Sequence, residues 1–103
     1  IDDTHLLRKL LMFAIELGKR QQAIFYFNEM FEEHLPDNLS DRQRVDLDDY
    51  MSLFMTNKWY AFAGDLYERL YEAEPDNGEY RRRLIVAFSK TDRIDRARKL
   101  IAI

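Results

Sequence analysis

"NKWYAFAGDLYERLYEAEPDN", residues 57 to 77, decides the fold because it has two echoes in the same chain: "GKRQQAIFYFNEMFEEHLPDN" at residues 18 to 38 and "TDRIDRARKLIAI" at residues 91 to 103. Each begins on turn-forming or charged residues and continues as an apolar pattern with a period of about 3.6 residues, and the first two close on Pro-Asp-Asn. Ala63 and Ala97 lie 34 residues apart, whereas Ala23 and Ala63 lie 40 apart. The longer interval is most simply placed as an insertion in "NLSDRQ", residues 38 to 43.

Outward from these echoes the chain reads as six helices separated by short turns. Thr4 to Leu17 carries Leu6, Leu7, Leu10, Leu11, Ala14 and Ile15 at helical spacing, with Thr4 as N-cap and Gly18 as stop. Arg20 to His34 follows and meets Pro36, which disfavours helix at the residue before it. Ser40 caps a third helix that runs to about Met55; Asn57-Lys58 separates it from a fourth, Trp59 to Ala73. After Pro75-Asp76-Asn77-Gly78, Glu79 to Ser89 is a fifth, and Asp92-Arg93 leads into a sixth from Ile94 onward. A helical hairpin is the repeated unit, because one hairpin alone cannot bury its apolar face and stacked neighbours can.

Composition agrees with an all-α chain. Hydrophobic residues make up 47% of the 103 residues, enough for one core, and only 3 Gly and 2 Pro interrupt the helical patterns. No apolar run approaches the roughly 20 residues that span a bilayer, and no signal-peptide pattern opens the chain. The absence of Cys excludes disulfides and thiolate metal sites and leaves the compartment open between cytoplasm and bacterial periplasm. Beginning on Ile1 and ending on "RKLIAI", an apolar helical pattern without a stop signal, the sequence reads as a piece of something longer.

At this point the chain resembles the tetratricopeptide repeat family, over nearly its whole length. Residues 44 to 77 supply Tyr50, Phe54, Ala63, Tyr67, Leu70 and Pro75 at the family's positions; residues 4 to 37 supply Leu10, Ala14, Gly18, Ala23, Phe27 and Met30, with Pro36 one place late; residues 78 to 103 supply Leu84, Phe88, Ala97 and Ile101. The family's early Trp is replaced by Leu7, Leu47 and Arg81, and the Gly four places on by Leu11, Met51 and Ile85. The resemblance implies stacked antiparallel hairpins in a right-handed superhelix whose concave face, lined by the first helix of each hairpin, receives a protein or peptide partner or is continued by neighbouring repeats. It assigns to that face Arg8, Lys9 and Met12, then Asp48, Asp49, Ser52 and Met55, then Arg82 and Arg83. The arginines and aspartates would set charge complementarity, and Met12 and Met55 adaptable apolar contacts. The variant of this face that clamps C-terminal carboxylates does not fit: Arg8 and Arg83 match, but Met12 and Asp49 stand where Asn is wanted, and Glu79 where Lys is wanted. A second expectation is a periplasmic scaffold segment in a bacterial exopolysaccharide export machine.

Other chemistry finds little support. His5 and His34 have neither a partner at ligand spacing nor a converging nucleophile. Asp41, Asp46, Asp48 and Asp49 lack calcium-loop spacing and cluster near a helix start, where carboxylates complement the dipole. There is no phosphate loop or nucleophile elbow, so neither an enzyme nor a cofactor is expected. Charge divides unevenly: residues 1 to 77 hold 8 basic and 16 acidic side chains, residues 78 to 103 hold 8 and 3. With a net charge of −3 and no nucleic-acid motif, the basic end is expected to pack beside the acidic second hairpin or a further, fourth repeat, or to meet an acidic partner. "AIFYFNEMF", residues 23 to 31, is apolar almost all round, so Phe25 or Tyr26 should face outside its own hairpin; Trp59 and Phe62 raise the same question.

Overall fold

The computed structural model describes residues 3–31 and 39–102, and within them every regular element is a helix. The order is α1 (Asp3–Glu16), α2 (Arg20–Phe31), α3 (Asp41–Thr56), α4 (Tyr60–Ala73), α5 (Gly78–Ser89) and α6 (Ile94–Ala102). The expectation of six helices holds, with small shifts: Thr4 lies inside α1 rather than capping it, and Trp59 is the N-cap of α4 rather than its first residue. His34 and the turn expected at Leu35 to Asn38 lie outside the described residues.

Turn chemistry accounts for the punctuation. Gly18 takes φ +68°, and the Lys19 N–H donates to the Ala14 carbonyl while the Gly18 N–H donates to Ile15, at 2.8 and 3.1 Å. This is a Schellman motif. Ser40 begins α3 with a capping box: its hydroxyl accepts from the Gln43 N–H while the Gln43 side chain accepts from the Ser40 N–H. The insertion is thereby partly absorbed into the start of α3, which at 16 residues is the longest helix among the described residues. Asn77 caps α5 by accepting from the N–H groups of Glu79 and Tyr80, both at 3.1 Å, so Pro75 to Asn77 is a turn with a cap built into it.

Each helix packs on its sequence neighbour within the hairpins α1/α2, α3/α4 and α5/α6, and α4 also packs closely on α5. The described residues extend 48 × 29 × 17 Å. No helix here exceeds about 24 Å at 1.5 Å per residue, so the longest dimension runs along the stack and the shortest is about two helices thick. The core is one continuous cluster fed by every helix, from Leu11, Ala14 and Ile15 in α1 to Ala97 in α6. An aromatic chain joins the first two hairpins: Phe27 meets Phe31, Phe54 and Phe62 at 4.9, 5.3 and 5.7 Å between ring centroids, and Phe54 meets Trp59 at 5.8 Å. Burying a Phe27-sized ring stabilises by about 1.5–3 kcal/mol, with a further increment for edge-to-face geometry.

That chain answers the apolar surplus. Trp59, Phe62 and Tyr26 pack against the core, whereas Phe25 is exposed. The small-residue crossing falls between α4 and α5 at Gly64, one place beyond the fully buried Ala63: a Cβ on Gly64 would sit 3.3 Å from the Ala87 Cβ. The basic end docks on acidic residues of the second hairpin. Arg93 reaches Asp65 at 2.7 Å and Arg96 reaches Glu68 at 3.3 Å, and both guanidinium groups lie over the Phe88 ring.

Candidate partner-binding groove

The first helices of the three hairpins, α1, α3 and α5, carry equivalent sequence positions. Met12, Ser52 and Val86 correspond through the 40- and 34-residue offsets, as do Arg8, Asp48 and Arg82, and Lys9, Asp49 and Arg83. Between α1 and α3 lies a depression of about 560 Å³ lined by Arg8, Met12, Asp46, Asp49, Tyr50, Ser52 and Leu53 among others. Between α3 and α5 lies a second, of about 260 Å³, lined by Arg44, Asp48, Ser52, Tyr67, Asn77, Glu79, Tyr80 and Arg83. Ser52 belongs to both.

The second depression is built from an ordered polar network. Arg83 donates from Nε to Glu79 at 2.8 Å, and from Nη1 to the Ser52 hydroxyl at 2.8 Å and the Tyr67 hydroxyl at 3.1 Å. Arg44 donates to Glu74 at 2.9 Å and to the Tyr80 hydroxyl at 3.3 Å, and that hydroxyl faces Asp48 at 3.5 Å. The charges respond. Hydrogen bonds from Arg83 and then Arg82 hold the Glu79 carboxyl below its ordinary range. Partial burial of the Asp48 carboxyl outweighs the pull of Arg44 and the Tyr80 hydroxyl and raises its pKa. Burial, reinforced by Asp48, pushes the Tyr80 phenol up to about 12, and burial raises Tyr67 as well.

The first depression is simpler. Arg8 Nη2 meets Asp46 at 2.7 Å, with Arg42 on the other carboxylate oxygen at 3.5 Å. Arg8 Nε is buried with no hydrogen-bond partner among the described residues, so one donor of this guanidinium is desolvated and unused.

Seven of the nine residues assigned from sequence therefore line neighbouring surface: Arg8, Met12, Asp49 and Ser52 in the α1/α3 depression, Asp48, Ser52 and Arg83 in the α3/α5 depression, and Lys9 beside Arg8 and Met12 on the outer margin of α1. Two depart from it. Met55 packs against the core, and Arg82 is exposed and turned back on Glu79, one helical turn away. Sequence reasoning missed Arg44, Tyr67 and Tyr80, whose side chains complete the α3/α5 network, and Asp46, which holds Arg8 in the α1/α3 depression. Tyr67 and Tyr80 carry a dual signal, since their rings meet at 6.1 Å, tilted by 47°, in the α4/α5 contact while their hydroxyls reach the α3/α5 depression. A helical wheel credits such residues to the core alone. No family model matches the chain, and no curated protein or solved structure shows significant similarity to it.

Proposed function

We propose that the chain is a non-enzymatic interaction scaffold of degenerate tetratricopeptide-like hairpins, which receives an extended peptide or a helix from a protein partner across α1, α3 and α5. The observation that carries this reading is Ser52, a small side chain that lines both depressions, so that the two adjoin on α3 between α1 and α5. The groove is preorganised. Arg44 and Arg83 are held by Glu74 and Glu79 before any partner arrives, which lowers the ordering cost of binding. Lys9 and Asp49 are exposed and carry no ion pair among the described residues, so they offer charges of both signs to a complementary partner.

The test is selection from a displayed peptide library on the parent protein, followed by titration of the selected peptides against Ser52→Arg, which fills the junction without touching the core. Peptides that bind the parent and weaken at least about tenfold on the variant support the reading. A library that yields no binder, or peptides indifferent to Ser52→Arg, overturns it.

A further inference from the structure

The two junctions between successive hairpins use different chemistry at equivalent positions. Trp59 and Phe62, around the start of α4, lie against the Phe54 ring of their own hairpin, and Phe62 also meets Phe27 of the hairpin before, at 5.7 Å. Through the 34-residue offset their equivalents around the start of α6 are Arg93 and Arg96, and the equivalent of Phe54 is Phe88. The two guanidinium groups lie 5.1 and 5.8 Å from the Phe88 centroid. They reach the hairpin before through charge: Arg93 to Asp65 at 2.7 Å and to the Ala61 carbonyl at 3.3 Å, and Arg96 to Glu68 at 3.3 Å. Apolar burial contributes little to holding α6. Ala63, Gly64, Leu66, Tyr67 and Leu70 are buried in α4, whereas among the described residues of α6 only Ala97 is buried and Leu100 half-buried. On the α5 side the further polar tie is again cationic, Arg81 Nε to the Leu100 carbonyl at 3.1 Å.

We infer that α6 is an ionic latch: the Arg93–Asp65 and Arg96–Glu68 pairs set its docked state on α4 and α5, so ionic strength moves α6 between docked and released positions while the first two hairpins stay folded. Both pairs are open to solvent ions, with Arg93 24% and Arg96 57% exposed. Such pairs weaken as the screening length falls from about 10 Å at 0.1 M salt to about 3 Å at 1 M. The aromatic junction of Phe27, Phe54, Trp59 and Phe62 has no charge to screen. Release uncovers the Phe88 ring, 2% exposed when α6 is docked, beside the freed carboxylates of Asp65 and Glu68. A helix that frays only because few apolar groups hold it does so independently of salt, which separates a latch from a loose end.

Amide hydrogen exchange of the 103-residue chain in about 0.1 M and about 1 M NaCl tests this, with the amides of α2 to α4 as internal reference. The parent is compared with Asp65→Asn/Glu68→Gln, which neutralises both acids at exposed or half-exposed sites and leaves the guanidinium groups over Phe88. In the parent, α6 exchange is expected to accelerate at least about twofold against the reference as salt rises. In the variant it is expected to be fast already at the lower salt and indifferent to the change. Salt-independent α6 exchange in the parent, or a variant that keeps the parental salt dependence, overturns the latch and leaves α6 held by Ala97, Leu100 and the Arg81 bond. Acceleration shared equally by α2 to α4 also overturns it, because α6 would then not move separately. None of these outcomes bears on the depressions beside Ser52, with which the latch shares no residue.

Discussion

Gly18 and Lys58 occupy the same left-handed backbone conformation, φ 68° and 64°, at the same point of two successive hairpins. The bonds around them match one for one: Lys19 to Ala14 and Trp59 to Phe54 at 2.8 and 3.0 Å, Gly18 to Ile15 and Lys58 to Met55 at 3.1 and 3.0 Å. The repeat is thus written into the backbone as well as the core. Where Gly18 takes this conformation freely, Lys58 carries the Cβ strain of a left-handed residue.

Lys58→Gly should therefore stabilise the protein by about 0.5–1 kcal/mol, the relieved strain exceeding the added entropy of the unfolded chain. Gly18→Ala should destabilise by about 1 kcal/mol, although nothing lies within 4 Å of the new methyl, because the cost is conformational. Urea midpoints at constant slope read both changes. A Lys58→Gly midpoint at or below the parent's would show that the Lys58 strain is offset elsewhere.

The contrast marks what was legible in the sequence. Gly18, Ser40, Asn77 and the Ala23/Ala63/Ala97 phasing announce turns, caps and the hairpin period through local chemistry, and the helices follow. The surface between the first helices was legible only by register, which gathers Arg8, Asp49, Ser52 and Arg83 beside the two depressions but cannot say which way a long side chain turns. Arg82 and Arg83 are adjacent; one folds back on Glu79 alone and the other crosses to α3 and α4. Tyr67 and Tyr80 were hidden because a tyrosine in a core pattern discloses its ring and not its hydroxyl.

Gly64→Leu should destabilise by about 1–3 kcal/mol despite the better helix propensity of Leu. The space over Gly64 is closed by the Ala87 Cβ at 3.3 Å and the Phe88 ring at 3.7 Å, neither of which can swing aside as a flexible side chain would. Ala87→Gly should recover part of the loss in a double-mutant cycle, measured by denaturant unfolding. Independent additivity of the two changes would place the overpacking somewhere other than this crossing.

Arg81 stands where the tetratricopeptide pattern has an aromatic residue, and it does a different job. Its Nε and Nη2 both donate to the Leu100 carbonyl, the former at 3.1 Å, near the C-terminal end of α6, where a cation complements the helix dipole. Arg81→Met keeps the stem and removes the donors. Amide hydrogen exchange should then accelerate in α6 several-fold, as expected for a loss of about 1 kcal/mol in local stability, while protection in α1 to α4 is unchanged. Uniform acceleration throughout the chain would mean that α6 is not a separately fraying element.

Tyr80 links the groove to alkaline stability. Its pKa is raised to about 12 by burial and by Asp48, against an unfolded value near 10, so the folded state favours the neutral phenol. A group with a raised folded pKa contributes stability that is complete below its unfolded pKa and is lost as pH rises through the folded one. Stability should therefore fall between about pH 10 and 12, with Tyr67 and Tyr50, both raised by burial, adding in the same direction. Tyr80→Phe removes this ionisation while leaving the ring on Tyr67, so its unfolding free energy should decline less steeply with pH across that window. The tyrosinate absorbance titration of the variant should lose its highest-pH component. If that component persists in Tyr80→Phe, the most strongly perturbed phenol is Tyr67 or Tyr50, and the Asp48–Tyr80 contact does not set the alkaline limit.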